Sequence, residues 1–146
     1  MKDTSRWGSF RFTTYVTYVD SFEFSLRPDD PLEEIRDIAR VYLDFARSNR
    51  EQFMVMFLFP TPVAGPPEPQ SLLNSARAYA IATGAVQRGI DAGLLRGRAP
   101  ALTAPTIWSA VHGLTMLLIT DGTFGPTLED VLMASVVDTL LKGLAP

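Results

Sequence analysis

From residue 30 onward the sequence predicts an all-α domain of about five helices. Three observations predict it. Asp, Pro and Glu form helix-start signals ahead of apolar runs, apolar residues recur three and four apart, and Gly or Pro stands where each run stops. Residues 1–29 read differently and form an atypical leader. At 146 residues the chain is long enough for one domain with its own hydrophobic core.

The leader is rich in Phe, Tyr, Thr and Val. In "FRFTTYVTYV" (Phe10 to Val19), residues Phe10, Phe12, Thr14, Val16 and Tyr18 alternate onto one face. "FEFSL" repeats the alternation with Phe22, Phe24 and Leu26. A short β-hairpin turning near Asp20-Ser21 and an irregular leader both fit this pattern.

The first helix opens at "DDPLEE". Asp30 suits the cap, Pro31 the first helical position and Glu33 the capping-box position. Ile35, Ile38, Ala39, Tyr42, Phe45 and Ala46 then share one face. Asn49 and Arg50 mark a break, and a short second helix carries Phe53, Met54, Met56 and Phe57. Phe59-Pro60 ends it, because a residue before proline is pushed out of the helical region. "PTPVAGPPEP" (Pro60 to Pro69) is a rigid loop. A third helix from about Gln70 to Ala92 has Leu72, Ala76, Tyr79, Thr83, Val86 and Ile90 as its predicted apolar line, and Gly93 closes it. A fourth is predicted from about Ala104 to Thr120. A fifth starts at "TLED", with Thr127 as its cap, and runs to about Lys142.

The last two helices are apolar around most of their circumference, which calls for two packing partners. One is the core. The other is predicted to be a second copy of the chain, with Val111, Leu114, Leu118, Val136, Val137, Leu140 and Leu141 at the interface.

Composition narrows the function. The chain is 47% hydrophobic and 20% charged, as globular domains are. Its net charge of −3 argues against direct nucleic-acid binding, which normally shows as a basic excess. Having no cysteine, it has no disulfide, thiolate nucleophile or Cys-ligated zinc, and it suits a reducing cytoplasm. The longest apolar run, "FMVMFLF", falls short of the roughly 20 residues of a membrane span, and the first residues lack a signal-peptide core.

His112, the single histidine, sits in "WSAVHGL", one turn after Trp108 and one turn before Met116. No Ser or Cys motif accompanies it, and Asp121 is too far along the helix to orient the ring, so no catalytic residue is predicted. One His without Cys does not furnish a usual metal set, and no metal or other cofactor is predicted. The acidic pairs Glu33-Glu34 and Glu129-Asp130 stand at helix starts, where the dipole favours them. "RGIDAGLLRGR", with Arg88, Arg96 and Arg98, lacks the phosphate-loop pattern and reads as a helix end and turn. Phe45, Phe57, Tyr79, Trp108, His112 and Met116 are the candidates for an apolar pocket taking a small hydrophobic molecule. An ordinary core is the competing reading of the same residues.

"DPLEEIRDIARVYLDFARSNREQFMVMF" (Asp30 to Phe57), "AVQRGIDAGLLRG" (Ala85 to Gly97) and "IWSAVHGLTMLL" (Ile107 to Leu118) together resemble the C-terminal ligand-binding and dimerisation domain of TetR-type transcriptional regulators. The resemblance is closest to the group named for a Trp-His-Gly (WHG) motif, here Trp108, His112 and Gly113. It implies an all-helical domain over residues 30–146 and a homodimer whose four-helix bundle comes from the last two helices of each subunit. It also implies a small effector held among the middle helices, and no enzymatic activity. Such regulators open with a helix-turn-helix domain, and residues 1–29 do not carry its pattern. The sequence therefore predicts no direct DNA binding by this chain. It leaves two alternatives, a partner that inhibits an intact regulator by pairing with it, and a stand-alone small-molecule sensor.

Overall fold

A computed structural model describes residues 29–58, 69–96 and 99–146, together with Asp20, Glu23, Leu26 and Arg27. Five α-helices hold most of them: α1 (Pro31–Ser48), α2 (Arg50–Leu58), α3 (Pro69–Asp91), α4 (Pro100–Asp121) and α5 (Pro126–Leu144). No strand occurs among the described residues. The strands predicted over 10–19 and 22–26 fall outside them, apart from Glu23, which is helical, and Leu26, which is exposed coil.

The first helix starts at the predicted cap, but the Glu33 half of the capping box does not form: the Asp30 N–H donates to the Arg27 carbonyl, and the Glu33 carboxylate pairs with Arg36 and Arg40. The Asp30 carboxylate accepts the backbone N–H of Glu33 at 3.1 Å, and Pro31 opens the helix. Asn49 ends it, donating both its backbone and side-chain N–H groups to the Phe45 carbonyl. This helix is the central rod, in contact with α2, α3, α4 and α5. All six residues of its predicted apolar face are buried. So are Leu43, Glu34 and Asp37 on its other sides.

The third helix has the predicted extent, and its predicted apolar line holds in part: Val86 is buried and Thr83 and Ile90 are half-buried. Ala78, Ala85, Val86 and Gly89 face inward, whereas Ala76 and Tyr79 are exposed. Small side chains win this face because α3 packs closely. A Cβ on Gly89 would come within 2.9 Å of the Leu95 side chain. Gly93, at φ +70°, ends the helix in the left-handed conformation that glycine adopts most readily. Arg96 then ties this turn to the far end of α5, donating its backbone N–H to the Leu144 carbonyl and its Nε to that of Ala145.

The two remaining helix starts differ from the sequence reading. The fourth begins a turn early, at Pro100, because the Ala99 carbonyl accepts the N–H groups of Leu102 and Thr103. Pro105 lies inside it, where the missing N–H forgoes one helical bond near the exposed Ala101. The fifth is capped by Gly125 without a side-chain bond, with Pro126 as its first residue. Thr127 therefore lies inside the helix and is not its cap. Proline, with no N–H to satisfy, outcompetes threonine for the entry position.

By length and composition alone, the 22 residues of α4 could cross a membrane. In the fold this helix packs on α1, α3 and α5 through Ala104, Ile107, Val111, Leu118 and Ile119. Val111, Leu118, Val137 and Leu141 are at most 4% exposed within the single chain. Within the single chain their surface is taken up by its own core. Leu114, Val136 and Leu140 remain half-buried.

Candidate functional site: an aromatic face around one histidine

Spacing on two helices builds the site. Trp108, His112 and Met116 recur every four residues on α4 and share a face. Phe53 and Phe57 do the same on α2. Tyr42 projects from α1 between them. Its ring lies edge-on to Trp108, with centroids 4.5 Å apart, and edge-on to Phe53 at 5.2 Å. Phe53 and Phe57 are 4.7 Å apart, and Phe57 and His112 also 4.7 Å. The Trp108 and His112 rings are nearly parallel, at 13°. Contacts of this kind add about 0.5–1.5 kcal/mol per pair to the area they bury.

Tyr42 and Phe53 are fully buried and form the floor. Phe57, Trp108, His112 and Met116 are half-buried and form a partly open rim. Of the six ligand candidates in the sequence, Phe57, Trp108 and His112 meet through their rings, and Met116 follows one turn after His112 on the same face of α4. Phe45 is buried behind Phe53, with its ring centroid 6.4 Å away. Tyr79 stands apart, 53% exposed on α3. Tyr42, absent from that candidate set, is the residue that joins the elements. Its helical position marks it only as core, and nothing local in the sequence announces a partner 70 positions away.

The polar centre of the face is one hydrogen bond, 2.6 Å from the Tyr42 hydroxyl to His112 Nδ1. Burial pushes the His112 imidazole below its ordinary value of 6.5, so the ring is neutral at neutral pH. Glu34 and Asp37, also buried, are committed elsewhere. The Glu34 carboxylate receives Arg88 of α3, and Asp37 receives Arg27 and Arg40.

Behind Tyr42 and Trp108, on the α3 side, a small apolar cavity of about 30 Å³ lies among Ile38, Ala39, Ala82 and Ala104. That is room for about one water, an order of magnitude below the roughly 300 Å³ at which drug-sized pockets begin. A larger concavity of about 180 Å³ separates α1 from α5. Its lining is mixed, with Arg36, Arg40, Asp130 and Asp138 beside Leu43, Met133, Ala134 and Val137, and the Arg36–Asp138 ion pair at 2.9 Å bridges it. The small cavity behind the aromatic face has no charged side chain in its lining. Among the described residues no three His, Cys, Asp or Glu side chains group as metal ligands.

Fold and site define an all-helical domain organised around a central helix, with an aromatic face centred on the Tyr42–His112 pair. A family model described as "Tetracyclin repressor-like, C-terminal domain" matches residues 35–141, and the chain belongs to that family. A solved structure of a protein with unknown function from Rhodococcus sp. RHA1 has the same fold, with a TM-score of 0.80 at 17% identity. The alignment covers 95% of this chain and 71% of that one. No curated protein matches the chain.

Proposed function

We propose that this chain is the effector-binding and dimerisation domain of a TetR-like regulator of the Trp-His-Gly group, acting in the cytoplasm. The observation that carries the reading is the half-open aromatic rim of Phe57, Trp108, His112 and Met116 over a floor of Tyr42 and Phe53. Such a surface suits a small hydrophobic molecule, since it offers area and polarizable contacts around one directional polar group. The cavity behind Tyr42 and Trp108 is too small for such a ligand as it stands. Binding of a larger molecule therefore moves α3 away from α1 and α4, and that displacement is how occupancy would reach the rest of a regulator.

Dimerisation falls to the outer faces of α4 and α5. From Pro100 to Thr120, α4 has no Asp, Glu, Lys or Arg. Leu117 on α4 and Leu128 and Val131 on α5 are about half exposed. Together with Leu114, Val136 and Leu140 they supply the apolar surface for a second copy. No DNA contact and no catalytic step is assigned to these helices.

The test is calorimetric titration of the purified chain with a panel of small aromatic molecules. Saturable binding at one site per chain, lost in Trp108→Ala while the variant stays helical, is the expected result. The absence of saturable binding across the panel would overturn the reading.

A further inference from the structure

We infer that the aromatic face selects an uncharged, planar apolar ligand bearing a hydrogen-bond-acceptor oxygen, which receives the Nε2–H of His112. The inference rests on the effector-binding reading above and names the chemistry of the ligand.

The argument starts from the Tyr42–His112 bond. A phenol hydroxyl is a stronger donor than acceptor, and the unprotonated nitrogen of a neutral imidazole is a strong acceptor, so the contact of 2.6 Å is assigned with the Tyr42 O–H donating to Nδ1. An imidazole that accepts at Nδ1 and is neutral holds its proton on Nε2. Tyr42 thus fixes the tautomer and turns the opposite edge of the ring into a donor.

That edge belongs to a half-buried residue at the rim. Among the described residues Tyr42 is the one hydrogen-bond partner of His112, and Nε2 is not among the buried atoms left without one. The Nε2–H therefore reaches open surface at the rim, flanked by the rings of Phe57 and Trp108. A neutral imidazole donor between two aromatic rings fits an oxygen on a flat ligand that stacks on them.

Charge decides which oxygen. The rings that meet His112 are those of Tyr42, Phe53, Phe57 and Trp108, and its imidazole is shifted by burial and not by a neighbouring charge. The ion pairs of α1 go to Asp37, Glu33, Asp138, Asp44, Glu129, Asp130 and Glu34, away from this face. A carboxylate brought here would lose its hydration without gaining a cation, whereas a ketone, ester or amide carbonyl loses far less. Protonating His112 to meet an anion would turn Nδ1 into a donor and force the Tyr42 hydroxyl to accept, in a site whose burial already disfavours the charged ring.

Three probes of one shape separate the possibilities: ethylnaphthalene, acetylnaphthalene and naphthoate, substituted at the same ring position. Acetylnaphthalene is expected to bind the wild-type chain about tenfold tighter than ethylnaphthalene, the worth of one hydrogen bond, and tighter than naphthoate. In His112→Phe the ratio of the acetyl to the ethyl affinity should fall to about one. Because His112 is the single histidine, nitrogen-15 spectra of the imidazole read its tautomer without any substitution. The Nε2–H form is expected, with the Nε2 resonance moving on addition of acetylnaphthalene. Equal affinity of the wild type for the ethyl and acetyl probes would overturn this inference while the effector reading stands. So would the Nδ1–H tautomer, or a preference that survives in His112→Phe. Tighter binding of naphthoate would overturn the choice of an uncharged ligand. Failure of all three probes to bind would overturn both the inference and the effector reading.

Discussion

The Glu34 carboxylate is entirely buried, and Arg88 Nη2 reaches its two oxygens at 2.8 and 2.7 Å. The pair joins the first turn of the central α1 to the last turn of α3. At the sequence level, Glu34 looks like half of an acidic pair at a helix start, and Arg88 like part of a basic turn. Packing converts both into one clamp.

Arg88→Met should therefore destabilise the fold by about 2–4 kcal/mol, because it leaves a buried carboxylate without its cation. The partly exposed guanidinium places the effect toward the lower end of that span. Glu34→Leu combined with Arg88→Met should recover most of the loss, since the orphaned charge is gone. Urea denaturation of the two variants measures the difference. Equal destabilisation in the single and double variants would show that the clamp is not what Arg88 contributes.

Phe53 and Trp108 distinguish core from rim within one aromatic cluster. Phe53 has no exposed surface, so Phe53→Ala should cost about 3–5 kcal/mol. Trp108 is half-buried, and Trp108→Ala should cost less stability while removing more of the affinity for aromatic probes. Chemical denaturation and calorimetric titration of both variants test the ordering. The reverse order of stability loss would make Trp108 the core residue.

His112 predicts a pH dependence with a definite sign. Its folded-state value lies below the ordinary 6.5, so the unfolded chain binds the proton first as pH falls. The stability tied to the neutral ring is complete above about 6.5 and is lost progressively as pH drops through the folded value. Asp37 acts in a different window. Burial pushes its carboxyl up, but the Arg27 and Arg40 bonds and charges outweigh that and hold it below 3.8. Its contribution is present above that value and fades only in stronger acid. Melting temperature measured between pH about 7 and about 5 should fall in the wild type and change less in His112→Gln. An unchanged slope in that variant would remove His112 as the source.

The outer faces of α4 and α5 make an association test. Leu117 is 54% and Val131 58% exposed, so charges there disturb little of the chain's own core. Leu117→Glu with Val131→Glu should convert a dimer into a helical monomer by light scattering at micromolar concentration. A wild type that is already monomeric at that concentration would exclude the proposed dimer.

Sequence by itself determined the all-α class, the number of helices and the inward face of α1, where all six predicted residues are buried. These follow from local rules: the Asp30–Pro31–Glu33 start, the three-and-four spacing and the glycine at residue 93 act within a few residues of one another. It also brought Trp108, His112 and Met116 onto one face, because helical periodicity alone does that. Only the tertiary structure decided which faces pack against which. It chose the alanine line of α3 over the line through Tyr79, and put Val111, Leu118, Val137 and Leu141 in the core of the single chain. It also set the Tyr42 hydroxyl against His112 Nδ1. The reason is physical: an amphipathic pattern fixes which side of a helix is apolar, but close packing between helices is settled by shape and volume at residues far apart in sequence.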